Sequence, residues 1–520
     1  MLRLSRRTVM IGGAALCAPA ALGSARTRAQ TATQPSLPIP TELRADARGT
    51  IVLKAQPGRM RFRAGPKTDT YGINGPYLGP AVRLRRGQKV VIEVSNRVPQ
   101  GITMHWHGLI IPGAADGGPH QGIPPRKRWW AELSIDQPAA TLWFHPHLYP
   151  TTAELVIKGL AGLMIIDDEE IERLALPSQW GIDDIPLIIQ DRRFTPEGQF
   201  FERFNIVAVT NGYVGDTVLV NGAHYPEART ARGWLRFRVL DGSNARSYTL
   251  SASDGRSLYI IASDGGLLEG PVELKQLLIH AGERFELLVD ARDGRPFDLI
   301  TLPVAQEIMR LPPFDRPLPI VRIRPEGADG KGRLPDSLAT VPQLSNDLPA
   351  VSQQLIMNMF RDKEGMMVLN KAGLMAMAKS VKPDPVVVAR VVELIVDAPA
   401  LSRSGQLSAN GVNGKPFSLV EKGFIAPRDK LLRWRIGEGS DRMLHPVHIH
   451  GCQFRIVSQD GHPPEAQRAG WKDVAPVSAG GTTEILVRFP YSASLDAPYM
   501  AHCHILEHED SGMMAQFTVT

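Results

Sequence analysis

Three stretches of the chain share one rhythm of apolar and polar positions. Lys89-Val90-Val91-Ile92-Glu93-Val94, Trp234-Leu235-Arg236-Phe237-Arg238-Val239 and Leu432-Arg433-Trp434-Arg435-Ile436 alternate apolar and polar residues or run apolar. A period of two predicts strands with one buried face. Each stretch follows an Asn-Gly pair, Asn74-Gly75, Asn221-Gly222 and Asn413-Gly414, which is turn chemistry. The same order met three times predicts an internal repeat. Asn74 and Asn221 are 147 residues apart and Asn221 and Asn413 are 192 apart, so the second interval carries extra chain. The stretch 352–382, with Met357, Met359, Met366, Met367, Met375 and Met377, is the expected insertion. With 48 Gly and 42 Pro among 520 residues, short strands and turns are favoured over long helices. The expectation is an all-β chain of three β-sandwich domains, 30–178, 179–345 and 346–520. The third would carry a Met-bearing, partly helical insertion near its start.

Charge narrows the function classes. The net charge of +6 comes largely from Arg3, Arg6, Arg7, Arg26 and Arg28, and without them 54 basic face 53 acidic side chains. A near-neutral body with no basic stripe argues against nucleic acid as a partner. Residues 1–29 combine a basic start, a weakly apolar stretch over 9–22 and small residues near Ala25 and Ala29. That is the layout of a removable export signal. Ser5-Arg6-Arg7-Thr8-Val9-Met10 resembles a twin-arginine signal, which implies the twin-arginine export machinery as a partner. The other reading of Arg6-Arg7 is an ordinary secretory signal. No other run approaches the ~20 apolar residues of a membrane span. A soluble, monomeric protein of the periplasm is expected.

The histidines carry the chemistry. A random scatter of 14 histidines would give roughly 0.4 His-x-His pairs; the chain has four, His105/His107, His145/His147, His448/His450 and His502/His504. On a strand each pair presents two imidazoles to one face, and imidazole suits Zn, Cu, Fe and Ni. His502-Cys503-His504-Ile505-Leu506-Glu507-His508 adds a thiolate, with Met513 ten residues beyond the cysteine. One thiolate, two imidazoles and a thioether make a blue-copper ligand set, and His445 is the best candidate for the second imidazole beside His508. If 502–504 is extended, Cys503 points away from His502 and His504, so one strand joins two metal sites. A zinc hydrolase would leave Cys503 and Met513 unexplained. Cys452 reads as a buried small hydrophobe, and two cysteines outside the signal do not make a disulfide scaffold.

With His105-Trp106-His107-Gly108, Trp143-Phe144-His145-Pro146-His147 and the segments from His445 to Gly451 and His502 to Met514, the chain resembles the three-domain multicopper oxidases over essentially its whole length beyond the signal. The resemblance implies cupredoxin-like Greek-key sandwiches and four copper ions. The type 1 copper would be held by His445, Cys503, His508 and Met513, and the type 2 copper by His105 and His448. The type 3 pair would use His107, His145, His147, His450, His502 and His504. It implies four one-electron oxidations of a donor coupled to reduction of dioxygen to water. Asp116 and Glu509 match the family's proton-relay positions. Within the family the chain looks most like the bacterial copper-efflux oxidases, which oxidise Cu(I). Met357, Asp362, Asp441 and Met443 resemble that subgroup's substrate-copper site, and soft thioethers favour Cu(I). Laccase-like oxidation of phenols and aromatic amines is the alternative donor chemistry. A copper-free exported scaffold, as in cell division, is the alternative of another class.

Overall fold

The computed structural model describes residues 34–520 apart from 203, 306, 307, 346, 372, 374–383, 399, 440 and 441. The expected export signal, Met375, Met377 and Asp441 therefore lie outside the described residues. What is described is mostly β. Six sheets follow one another in pairs along the chain, the first pair between Glu42 and Asp167, the second between Asp184 and Asp329, the third between Val351 and Val519. Each pair encloses an apolar cluster, centred on residues such as Ile92 and Trp106, then Phe237 and Phe285, then Trp434 and Phe517. Burying one face of each of two sheets is the arrangement that alternating strands require. Among the described residues no helix is long and apolar enough to cross a membrane.

The internal repeat has a physical basis in the three asparagines. Asn74, Asn221 and Asn413 take left-handed backbone angles, φ 58°, 51° and 53°, which asparagine tolerates better than most residues. The Oδ1 of each accepts from a strand backbone N–H, that of Lys54, Ile188 or Ile356, at 2.7, 2.8 and 2.8 Å. The Nδ2 of each donates to the carbonyl two residues earlier, that of Val52, Pro186 or Gln354. The stapled strands, Thr50–Met60, Asp184–Arg192 and Val351–Met359, each pair in parallel with the strand that follows the turn. The repeat is thus one turn, one staple and one parallel pair, built three times.

That equivalence corrects the start of the expected insertion. Residues 352–359 are not inserted; they belong to the strand Val351–Met359, with Leu355 and Met357 buried in the third core. The staples span 20, 33 and 57 residues in turn, so the additional chain of the third repeat lies between that strand and Asn413. Its described part is helical, over Asp362–Lys371, Pro385–Asp397 and Arg403–Leu407, and so runs past the expected limit of 382. Asp384 caps the middle helix through Val386 N–H, with proline in the first turn where no N–H is needed. Leu369, Val391 and Ile395 pack against Ile206, Val207 and Val209 of the helix Ile206–Asn211. Gly365 permits that approach, since a Cβ there would lie 2.3 Å from Thr210 Oγ1.

Candidate metal centre

Two strand pairs bring the histidines together. His105–His107 is an edge strand of its sheet and pairs with Ala140–His145, so that His105 stands opposite His145. His445–Ile449 pairs with Tyr499–Cys503, placing His448 opposite His502 and Val447 opposite Cys503. His504 and His508 follow on the turn and the short helix Leu506–Asp510. All ten histidines, Cys503 and Met513 are no more than 1% exposed. Burial first, and neighbouring imidazoles second, hold His107, His448 and His450 well below the ordinary value, and burial does the same for His145, His147 and His504. These imidazoles are neutral, which is the state that binds metal.

Among the described residues five groups of three donors emerge with their atoms mutually within 4.8 Å: His105, His107 and His448; His107, His145 and His504; His147, His450 and His502; His445, Cys503 and His508; and His105 and His450 with the carboxylate of Asp116. Inside the first three, ring nitrogens face one another, His105 Nε2 to His448 Nε2 at 3.3 Å, His107 Nδ1 to His145 Nε2 at 3.4 Å and His147 Nε2 to His502 Nε2 at 3.1 Å. The opposite nitrogens find oxygen. His105 Nδ1 donates to the Asp116 carbonyl at 2.9 Å, His145 Nδ1 to the Pro146 carbonyl and His448 Nδ1 to the Asp473 carbonyl at 2.8 Å each. His450 Nδ1 donates to Asp116 Oδ2 at 2.7 Å and His107 Nε2 to Asp473 Oδ1 at 3.0 Å. A neutral ring with its proton committed outward turns a bare lone pair inward. Two such lone pairs 3.3 and 3.4 Å apart, in His105–His448 and His107–His145, repel unless a cation lies between them. His504, fully buried, makes no hydrogen bond through either ring nitrogen. The donor set therefore fits metal ions bound by imidazole.

The fourth group has a softer character. Cys503 Sγ lies 3.5 Å from His445 Nδ1 and 3.7 Å from His508 Nδ1, and accepts from Ile505 N–H at 3.4 Å. Met513 packs in the same apolar cluster as Cys503. A thiolate and two imidazoles in an apolar shell suit copper better than zinc or a hard cation. Burial pushes the Cys452 thiol up.

The expected relay carboxylates lie against the histidines. Asp116 bridges His105 and His450 through its carbonyl and its carboxylate. It is placed by Gly117, at φ 81°, where a Cβ would lie 1.8 Å from the Met104 carbonyl oxygen. Glu509, fully buried, sets Oε1 3.3 Å from His147 Nδ1 and Oε2 3.2 Å from His502 Nδ1. Of the residues expected to hold substrate copper, Met357 is buried in the third core and Met443 packs against it. Asp362 opens the helix Asp362–Lys371.

Two residues that the sequence reading did not single out also touch the cluster. Besides meeting His107, Asp473 is clamped by Arg284, whose Nη1 donates to Oδ1 at 2.7 Å. Arg284 also donates through Nε to the Thr141 carbonyl. The network runs on through Asp264, Lys472, Glu283 and Arg468, three acids against three bases, all nearly or fully buried. It joins strands of all three sandwiches at the histidines.

Comparison with known proteins agrees with this geometry. Residues 54–171 and 395–520 each match a family described as multicopper oxidase. The multicopper oxidase mco of Staphylococcus aureus is 33% identical over 474 residues, 91% of this chain and 88% of that one. The cell division protein FtsP of Escherichia coli (strain K12) is 32% identical over 522 residues, 99% of each chain. Among solved structures, the laccase-like multi-copper oxidase CueO of Ochrobactrum sp. superposes with a TM-score of 0.79 at 36% identity, covering 93% of this chain and all of that one. McoA of Aquifex aeolicus does so with a TM-score of 0.76 at 27% identity, covering 94% of this chain and all of that one. Cupredoxin-like sandwich pairs, clustered imidazoles and likeness over nine-tenths of the sequence lead to one conclusion: the chain belongs to the multicopper oxidase family.

Proposed function

We propose that the chain is an active copper oxidase of the periplasm, taking electrons one at a time from a donor near His445 and passing them to dioxygen. The supporting observation is the set of eight buried, clustered imidazoles, five of which commit their outer nitrogen to oxygen and turn a bare one inward, an arrangement that a scaffold would have no need to keep. In this reading His445, Cys503, His508 and Met513 hold a type 1 copper, and His105 and His448 a type 2 copper. His107, His145 and His504 hold one member of the type 3 pair, and His147, His450 and His502 the other. Bound copper supplies one-electron acceptance at the cysteine and four-electron reduction of dioxygen at the histidines.

The chain's own residues do the rest. The peptide links from Cys503 to His502 and His504 join the two ends through bonds rather than through space. Burial of every donor keeps bulk water from the cluster. Asp116 holds the proton at the outer nitrogen of His450, and Glu509 stands 3.3 and 3.2 Å from those of His147 and His502, placed to deliver a proton towards the space where oxygen is reduced. At the other end the thioethers of Met357 and Met443 belong to or pack on the apolar cluster that contains Cys503, and together with Asp362 and Asp441 they favour Cu(I) as donor. A phenolic donor is the second reading, favoured by the likeness to the Ochrobactrum enzyme, which has oxidase activity towards lignin model compounds. The name FtsP among the relatives brings in a third outcome, a cell-division scaffold without copper.

Dioxygen uptake by the copper-reconstituted protein, with chelated Cu(I) and a phenol as parallel donors, separates these. Faster uptake with Cu(I) is expected. Faster uptake with phenol would make the chain a laccase. Failure of the purified protein to retain copper would favour the scaffold.

A further inference from the structure

A cavity of about 420 Å³ opens between the first and third sandwiches, away from Cys503. Ile110, Leu348, Leu431, Trp471 and Leu486 form apolar walls, and Arg455 and Arg488 supply two positive charges. The volume lies within the range of small-molecule sites, and junctions between packed units are a usual place for them.

Arg455 is the informative residue. It stands on the strand Phe454–Gln459 opposite Leu486, half-buried, with its guanidinium carbon 5.8 Å from the Trp471 ring centroid. Its Nη1 donates to the Pro342 carbonyl at 2.8 Å, yet its buried Nε has no hydrogen-bond partner. Among the described residues it makes no ion pair, whereas Arg433 and Arg435 on the strand Leu432–Glu438 share Glu484. Arg488, at the rim, is likewise without an ion pair among the described residues. The rim carries one acid, the exposed Asp347. Burial holds the Arg455 guanidinium below its ordinary value, and Glu269 only partly offsets this. Arginine nevertheless stays charged. A half-buried guanidinium with only one of its three nitrogens hydrogen-bonded among the described residues, lining an apolar chamber, is a costly arrangement for folding alone and a suitable one for an anion.

We propose that this cavity binds a small planar organic carboxylate, its apolar body against Trp471 and Leu486 and its carboxylate forked on Arg455. The binding is separate from the donor end and does not depend on oxidase activity. The floor nonetheless adjoins the histidines. Gln453 donates to the Gly108 carbonyl, next to His107, and Trp471 lies two residues before Asp473.

The probe is trans-cinnamate, which has no phenol to oxidise, titrated calorimetrically into the copper-loaded protein beside its neutral methyl ester. One saturable site is expected, with the acid bound about tenfold or more tighter than the ester, the worth of a hydrogen bond to a charged group. Arg455→Met should weaken the acid by about tenfold or more and leave the ester unchanged. Arg455→Lys, which keeps the charge and removes the fork, should fall between. Arg435→Met, whose partner is Glu484, should bind as the parent does. Equal affinity for acid and ester, undiminished binding in either Arg455 variant, or no saturable heat at about 10 mM cinnamate, near the weakest specific affinity worth the name, would each overturn the proposal.

Discussion

Cys503, His445 and His508 come from one sheet and the short helix after it, whereas the other eight histidines come from strands and adjoining turns of two sandwiches braced by a third. The cysteine group needs only the pairing of His445–Ile449 with Tyr499–Cys503 and the turn to Leu506–Asp510. The eight-histidine cluster needs His105–His107 and Ala140–His145 from the first sandwich to meet those strands, with Arg284 and Asp264 of the second holding Asp473 in place. One centre is local, set by register. The other is assembled, set by an interface. The local centre should therefore fail by loss of a single donor, and the assembled one by loss of its brace.

Cys503→Ser tests the first half and carries the largest expected effect. Removing the thiolate should abolish turnover with every donor and remove the visible thiolate-to-copper absorption. The histidine cluster should keep its copper, because none of its donors is changed. Metal analysis beside the absorption spectrum measures both. Loss of the cluster copper as well would mean that the two centres are not independent.

Arg284→Met tests the second half. It leaves Asp473 and Asp264 buried with one base fewer, and breaking such a pair typically costs about 3–5 kcal/mol. Denaturant unfolding of the metal-free protein reads that loss. His107 would also lose its fixed partner, and outer-shell changes of this kind lower metal affinity or activity by roughly 10–100-fold. The thiolate absorption should persist. A variant that lost the absorption but kept its dioxygen uptake would reverse the distinction.

The same distinction governs what could be read from the sequence. His-x-His pairs are legible because a strand repeats every two residues, so both donors announce themselves within three positions. Asp473 and Arg284 are not, since their partners lie 366 and 189 residues away and a lone acid or arginine has no period. The Asn-Gly turns were visible, but the strands that Asn74, Asn221 and Asn413 staple were not, because a side-chain hydrogen bond to a distant strand leaves no local pattern. The start of the insertion was misplaced for a related reason. In Val351–Met359 two methionines mask the alternation of Leu355 and Met357, which marks a strand face.

A smaller effect separates the cluster from its surroundings by pH. His280 is buried in the second sandwich with Nδ1 2.9 Å from Ser247 Oγ, outside all five donor groups. Burial pushes it down to about 4, with Arg468 and Lys472 adding to the shift and Glu283 opposing it. In the unfolded chain it titrates near its ordinary 6.5. Above that pH both states are neutral and the group contributes no pH dependence. As the pH falls from 6.5 towards 4 the unfolded chain gains a proton that the native state refuses, so stability is lost on the acid side. His280→Gln should therefore be slightly less stable than the parent at pH 7.5, for want of the Ser247 contact. Its loss of stability between pH 7.5 and pH 5 should be smaller by about 2 kcal/mol. Urea midpoints at the two pH values measure this on the copper-loaded protein, where the metal-facing imidazoles are held neutral by their ligation. An unchanged acid slope in the variant would place the acid sensitivity in the assembled cluster itself, and so sharpen the contrast with the cysteine centre.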